Sequence, residues 1–306
     1  MAAEDTLTDS FRFRAQPAAR PTVQAAASGS TLPAASAPAS VTRRTNAASR
    51  RIARWRLAGL LLPFALLAVV EALVRTGVLP DHLVPAPTAI VTTLVQLGAA
   101  GLLRHVVAST LRVFAGFGCG VALALVAGAA MGLSRQLDAL LDPSFQALRA
   151  IPSLAWVPIL LLWMGIDEAP KITLVAIGAF FPAHLAVVSG IRGVDRKLIE
   201  LGEVHRLSRG ALFVRILLPA ALPQIFTGLR TGLSLAWMFM VAAELIAATR
   251  GLGYLLSDGR ETGRPDIVFG AILLLALLGK LTDSALKIVE ARLLASRDTV
   301  DPGTRQ

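Results

Sequence analysis

The chain has a single cysteine, Cys119, a single tyrosine and few charges, with only 16% of its 306 residues being Asp, Glu, Lys or Arg. One cysteine cannot close a disulfide within the chain, and it offers no zinc-ligand spacing. The four histidines form no H-E-x-x-H or His-rich tract, and no G-x-S-x-G elbow occurs. Neither a metal centre nor a hydrolase nucleophile is therefore marked. A G-x-x-x-x-G-K-[ST] loop is also missing, because Gly279-Lys280 is followed by Leu281 and lacks the upstream glycine. The chain is not expected to bind ATP, and no cofactor is expected. Aromatics are scarce at 6%, yet 55% of the residues are hydrophobic and the mean hydropathy is +0.65. Such a balance excludes an ordinary soluble domain.

What is present in quantity is Ala, Leu, Val and Gly, in apolar runs long enough to cross a bilayer. About six spans are predicted: Leu57 to Val74, Val106 to Leu133, Pro143 to Gly165, Pro170 to Gly190, Pro219 to Ala247 and Ile267 to Val289. The fold class is all-α and polytopic. Gly116, Gly120, Gly128 and Gly132 form two small-xxx-small pairs in the second span, which allow close helix contact. Pro143 and Pro170 are read as helix starts, whereas Pro152 and Pro158 inside the third span predict a kinked or partly unwound helix. The stretch Thr76 to Leu103 is too polar to cross and reads as an amphipathic helix on the outer face. Asp167 and Glu168 mark an outer turn, and a glycine-containing loop runs from the fifth span to Asp266.

The formal charge of +10 sits beside the apolar runs and not on a folded basic face, so it speaks for membrane orientation and not for nucleic acid. Residues 1–54 are rich in Ala, Ser, Pro, Thr and Arg and read as a disordered cytoplasmic tail. The transmembrane domain covers 55–295, and 296–306 form a cytoplasmic C-terminal tail. Thr76 to Leu103 holds no Arg or Lys, whereas Ile191 to Leu218 is dense in both. Both termini are accordingly predicted inside a cell membrane, in contact with lipid.

The inner segment 191–218 is long for a bundle connection. In DRKLIELGEVHRLSRGALFVRILLPAALPQI, from Asp195 to Ile225, the apolar residues fall at helical spacing and predict two short helices. Ser208 is placed to cap the second, and Pro219 and Pro223 lead into the fifth span. A helical knob thus projects into the cytoplasm. This segment resembles the "EAA" loop of ABC importer permeases, with Glu200, Leu201, Gly202, then Phe213, Leu218 and Pro219. Leu201 and Gly202 stand where that pattern has alanines, and Arg206 stands where it has glycine. An arginine there either costs roughly 1 kcal/mol in a left-handed conformation or imposes another backbone path.

The resemblance continues through residues 151–158 (IPSLAWVP), Trp163-Met164-Gly165, Gly251-Leu252-Gly253-Tyr254 and Leu278-Gly279-Lys280. It is similar to the subgroup importing aliphatic sulfonates, taurine or nitrate. The resemblance implies a type I ABC importer permease fold, a homodimer, a cytoplasmic ATPase subunit and an extracytoplasmic solute-binding protein. It also implies that the knob couples to the ATPase through Glu200, Gly202, Arg206, Ser208, Leu212, Phe213 and Pro219.

Charges within spans cost about 2.5–3.5 kcal/mol each on insertion scales and need a partner or water. Glu71, Arg149, Arg230, Glu244, Lys280 and Asp283 are such residues. Arg230, Glu244, Lys280 and Asp283 are the translocation-path candidates, although Lys280 and Asp283 are spaced to pair on one helix. Trp156 and Trp163 suit interface anchors, and His184 and His205 carry no sign of special chemistry. Two rival readings are weighed. An ion-coupled carrier would use Glu71, Glu244 and Asp283 as coupling acids, but no internal repeat is evident. A membrane-embedded enzyme would need converging His, Asp or Ser residues.

Overall fold

Long runs of Ala, Leu, Val and Gly satisfy their backbone groups locally, so a bilayer-sized segment of this composition becomes a helix. In a computed structural model the described residues are 61–294, side chains at 99, 100, 209 and 247 excepted. The tails at 1–54 and 296–306 lie outside them. The helices are α1 (61–75), α2 (Pro87–Gln96), α3 (Gly98–Leu133), α4 (Arg135–Ala150), α5 (Val157–Met164), α6 (Glu168–Arg192), α7 (Arg196–Val204), α8 (Arg209–Leu212), α9 (Leu218–Ala247), α10 (Leu252–Glu261) and α11 (Pro265–Leu294). No strand occurs among the described residues.

Four helical stretches are long and apolar enough to cross a membrane, Gly101–Leu133, Glu168–Arg192, Gly210–Ile246 and Pro265–Leu294. A bent pair, Arg135–Ala150 with Ser153–Met164, makes a fifth if it is one span. The predicted six are thus four or five among the described residues, because the Leu57 to Val74 run lies partly outside them and its described part is α1. Glu71 of α1 accepts from the Thr88 amide at 3.1 Å and its hydroxyl at 2.8 Å, and Arg75 lies 2.6 Å away. This carboxylate fastens α1 to the start of α2.

The predicted third span needs correction at its start. Pro143 lies inside α4, which begins at Arg135 with Ser134 Oγ accepting from the Leu137 amide at 3.3 Å. The break falls at Pro152, whose ring disfavours α conformation in the preceding residue. Ile151 is extended (φ −71°, ψ 123°), and the helices on either side meet at 89°. Pro158 sits harmlessly in the first turn of α5, where its missing N–H would have no partner. Two further boundaries also differ. The helix that holds the second span begins at Gly98, and the predicted loop before Asp266 holds the ten-residue helix α10.

At the centre, α6 packs between α3 and α9. The close approach on the α3 side is made by glycines: a Cβ at Gly116 would meet Val175, at Gly120 the Ala176 carbonyl, at Gly128 Val187 and at Gly132 Ile191. Both predicted small-residue pairs therefore face one helix. On the α9 side Gly228 and Gly232 do the same against Ala186 and Ala179. Val113, Val175, Ala179, Leu233, Ala236, Trp237 and Met240 fill the core between these helices. The Trp237 indole donates to Thr282 Oγ1 at 3.0 Å, joining α11 to the bundle. Large apolar side chains such as Leu111, Val126, Leu162 and Trp163 remain exposed, as lipid-facing helices require.

Candidate functional site

The knob between the α6 and α9 spans is built by caps. Asp195 accepts from the Lys197 amide at 3.0 Å and starts α7. Its end has the hydrogen bonds of a Schellman motif: Arg206 N–H to Glu203 O at 2.8 Å and Leu207 N–H to Gly202 O at 3.1 Å. The left-handed residue this motif needs is Arg206, with φ 52°, the single non-glycine residue of positive φ among those described. Of the two outcomes open in the sequence, the chain keeps the turn and accepts the strain. Ser208 then caps α8, its Oγ accepting from the Ala211 amide at 3.3 Å.

The second predicted short helix is not separate. Through a π-helical turn, Phe213–Leu217, α8 runs on into α9, with Pro219 in the first turn of the latter. A displacement of the knob is thus continuous with a spanning helix. Gly202 is buried because Leu212 and Ile216 lie against it, and Phe213 packs on the cluster Val187, Ile191, Ala221 and Ile225 of α6 and α9. Glu200 faces out and pairs with Arg196 at 3.0 Å. Beside it, Leu201 is 52% and Val204 78% exposed. The knob therefore presents apolar side chains outward while its inner face is wedged into the bundle.

Of the four path candidates, only Arg230 and Asp283 are brought together. Asp283 pairs with Arg230 (2.9 and 3.2 Å) across α9 and α11, not with Lys280, which is exposed. Glu244 is 1% exposed and lies in an ion cluster that also holds Arg112 and Ser109, neither of which was singled out in the sequence. Arg112, 3% exposed, donates from Nε and Nη2 to Glu168 at 2.5 and 2.6 Å, and from Nη1 to Glu244 at 2.6 Å and the Arg250 carbonyl at 2.7 Å. Ser109 Oγ lies 2.8 and 2.9 Å from the Glu244 oxygens and accepts from the Leu252 amide at 2.8 Å, while the Gly253 amide donates to Glu244 at 2.8 Å. A Cβ at Gly251 or Gly253 would strike Glu244. The glycines of Gly-Leu-Gly-Tyr therefore let backbone approach a buried carboxylate. The signal for Arg112 was available, since it is a cation within an apolar run.

A cleft of about 550 Å³ lies between α6 and α9, closed at one side by the end of α4 and the turn after Pro152. Its polar lining is Arg149, Ser153, Ser189, Gln224, Thr227 and Thr231. None of the four path candidates lines it. His184 is buried and stacks against both Phe145 and Phe180, with Nε2 3.2 Å from Met131 Sδ, and His205 caps α7. Among the described residues no group of three metal-binding side chains is assembled.

Several helices of this length, with large apolar side chains exposed on them, mark a multi-pass membrane protein. Residues 120–295 match the family of binding-protein-dependent transport system inner membrane components, and the chain belongs to it as a permease subunit of an ABC importer. It is 40% identical over 79% of its length to a Bacillus subtilis (strain 168) protein named as an aliphatic sulfonates transport permease, SsuC, covering 88% of that protein. With the Escherichia coli (strain K12) protein of the same name the identity is 41% over 78% of this chain and 92% of the relative. The taurine transport system permease protein TauC of Escherichia coli (strain K12) is 36% identical over 63% of this chain and 70% of its own length.

Proposed function

We propose that this permease carries a small sulfonate-class oxyanion inward, driven by a separate ATPase that seats on α7 and α8. Relatives named for aliphatic sulfonate and taurine transport support the solute class. The single structural observation behind the drive is the knob: it exposes Leu201 and Val204 beside Glu200, yet Leu212 and Phe213 wedge it against the bundle. Closure of an ATPase pair pushes on α7, and the push passes through Gly202, Leu212 and Phe213 into α6 and α9. Arg206 and Ser208 hold the turn, and Pro219 starts the helix that receives the motion. In this scheme the knob and both termini are cytoplasmic, two copies form the pathway, and a binding protein delivers solute from outside. The chain itself supplies a two-state path and no bond chemistry.

The carboxylates a proton-coupled carrier would use are engaged by protein donors: Glu71 by Thr88, Glu244 by Arg112 and Ser109, Asp283 by Arg230. Leu212→Ala with Phe213→Ala is expected to lower solute-stimulated ATP hydrolysis several-fold in the reconstituted complex while membrane insertion is kept. Unchanged turnover would refute the coupling role. For the solute, a deletion strain grown on sulfonates, taurine or nitrate as sole source should lose growth on sulfonates, provided no redundant importer exists.

A further inference from the structure

Hydrogen-bond donors and charges at membrane depth need acceptors, water or a counter-ion. The buried and half-buried cations of the spanning helices are matched: Arg112 by Glu168 and Glu244, Lys171 by Glu168 at 3.7 Å, and Arg230 by Asp283. Arg149 is exposed, and its surroundings are of another kind. It stands one residue from the end of α4, at the 89° bend, and faces the cleft between α6 and α9. Among the described residues no carboxylate lies within ion-pair distance of it.

Two neutral donors share the cleft with it: Ser153, half-buried in the turn after Pro152, and Gln224, exposed on α9, line the same cavity, and the side chain of neither is bonded to another described residue. The remaining hydroxyls are spent locally: Ser189 donates to Ala186 O at 3.3 Å, Thr227 to Pro223 O at 3.0 Å and Thr231 to Thr227 O at 3.0 Å. The lining thus offers one guanidinium, one amide and one hydroxyl from three separate elements, and no acid. At about 550 Å³ the cavity has the size of a small-molecule site.

We infer that Arg149, with Ser153 and Gln224 as neutral donors, is a transient binding station for the oxyanion group of the solute, a specificity-determining site in the translocation cleft. The assignment rests on the sulfonate reading above. A guanidinium fork matches two oxygens of a sulfonate, and a neutral donor takes the third. The open cleft keeps the site weak, which transport requires, since solute must leave as readily as it enters. The bend at Pro152 brings Arg149 and Ser153, from different elements, to one wall.

The test uses the complete complex of permease, ATPase and binding protein in proteoliposomes, with radiolabelled ethanesulfonate as the probe. Arg149→Gln is expected to lower initial uptake about ten-fold, as loss of a charge-assisted contact does, while basal ATP hydrolysis and the mass of the assembly hold. Arg149→Lys should retain at least roughly a third of the rate, because the charge remains. Ser153→Ala with Gln224→Ala should lower uptake by about three-fold. Uptake by Arg149→Gln within two-fold of wild type overturns the assignment, as does dissociation of the assembly in that variant, which would make Arg149 an interface residue. Should Arg149→Gln fail to assemble for lack of folding, unchanged uptake by the Ser153 and Gln224 double variant overturns it instead. A wild-type complex that imports a neutral or cationic solute and no sulfonate removes both this inference and the sulfonate reading. Sulfonate import that ignores Arg149 removes this inference alone.

Discussion

The two ends of the permease bundle are held by opposite means. At the α10 end, a buried guanidinium, two carboxylates, a serine and the backbone amides of Leu252 and Gly253 bind α3, α6, α9 and α10 into one cluster. At the α7 end, apolar plugs and short caps hold a knob whose tightest turn contains a strained arginine. Charge clusters at low dielectric tolerate little displacement, because their energy depends steeply on geometry. Apolar contacts between flexible side chains slide and repack at small cost. One end is thus fixed by charge, and the other is free to repack.

Five substitutions break or sharpen that contrast. Glu244→Ala leaves Arg112 short of a buried partner and is expected to cost about 3–5 kcal/mol, seen as a fall in the unfolding midpoint of the purified protein. Adding Arg112→Met should recover part of the loss, because the uncompensated cation goes with it. A wild-type midpoint for Glu244→Ala would show that the cluster anchors nothing. Gly253→Ala presses a methyl against the Glu244 Cβ and the Val241 carbonyl, neither of which can move freely. Its expected cost is about 1–3 kcal/mol in the same measurement.

Gly202→Ala introduces the same methyl at the knob, but there it meets only the far ends of Leu212 and Ile216. A cost below about 1 kcal/mol is expected. Equal costs for the two glycine substitutions would erase the distinction between the ends. Arg206→Gly has the smallest effect: a gain of about 0.5 kcal/mol, from a left-handed relief of about 1 kcal/mol less glycine's greater freedom in the unfolded chain. Chemical denaturation resolves its sign, and a loss of stability would mean that the Arg206 side chain contributes contacts of its own.

Much of the fold is legible along the chain because its causes are local. Pro152 forces Ile151 out of helix, and the break follows. Ser208 precedes an apolar helix and caps it. The glycine spacing through Gly116, Gly120, Gly128 and Gly132 marks one face of α3, and α6 lies on that face. Pro143 misled because a proline at a helix start and one inside a helix look alike in sequence. The knob's second helix misled because a π turn joins it to α9 without any breaking residue.

Apolar content, helix starts and breaks, small-residue faces and the presence of a helical knob follow from composition and neighbours a few positions apart, since backbone sterics and hydrogen bonding act at that range. Which charges meet is settled only by packing. Lys280 is three residues from Asp283, yet the partner is Arg230, 53 positions away, and Arg112 finds acids 56 and 132 positions away. Ion pairs depend on distances through space, and those exist only once α3, α6, α9 and α11 have come together. The acid-free cleft beside Arg149 is likewise a product of assembly, because three donors from three elements line one cavity only in the folded protein.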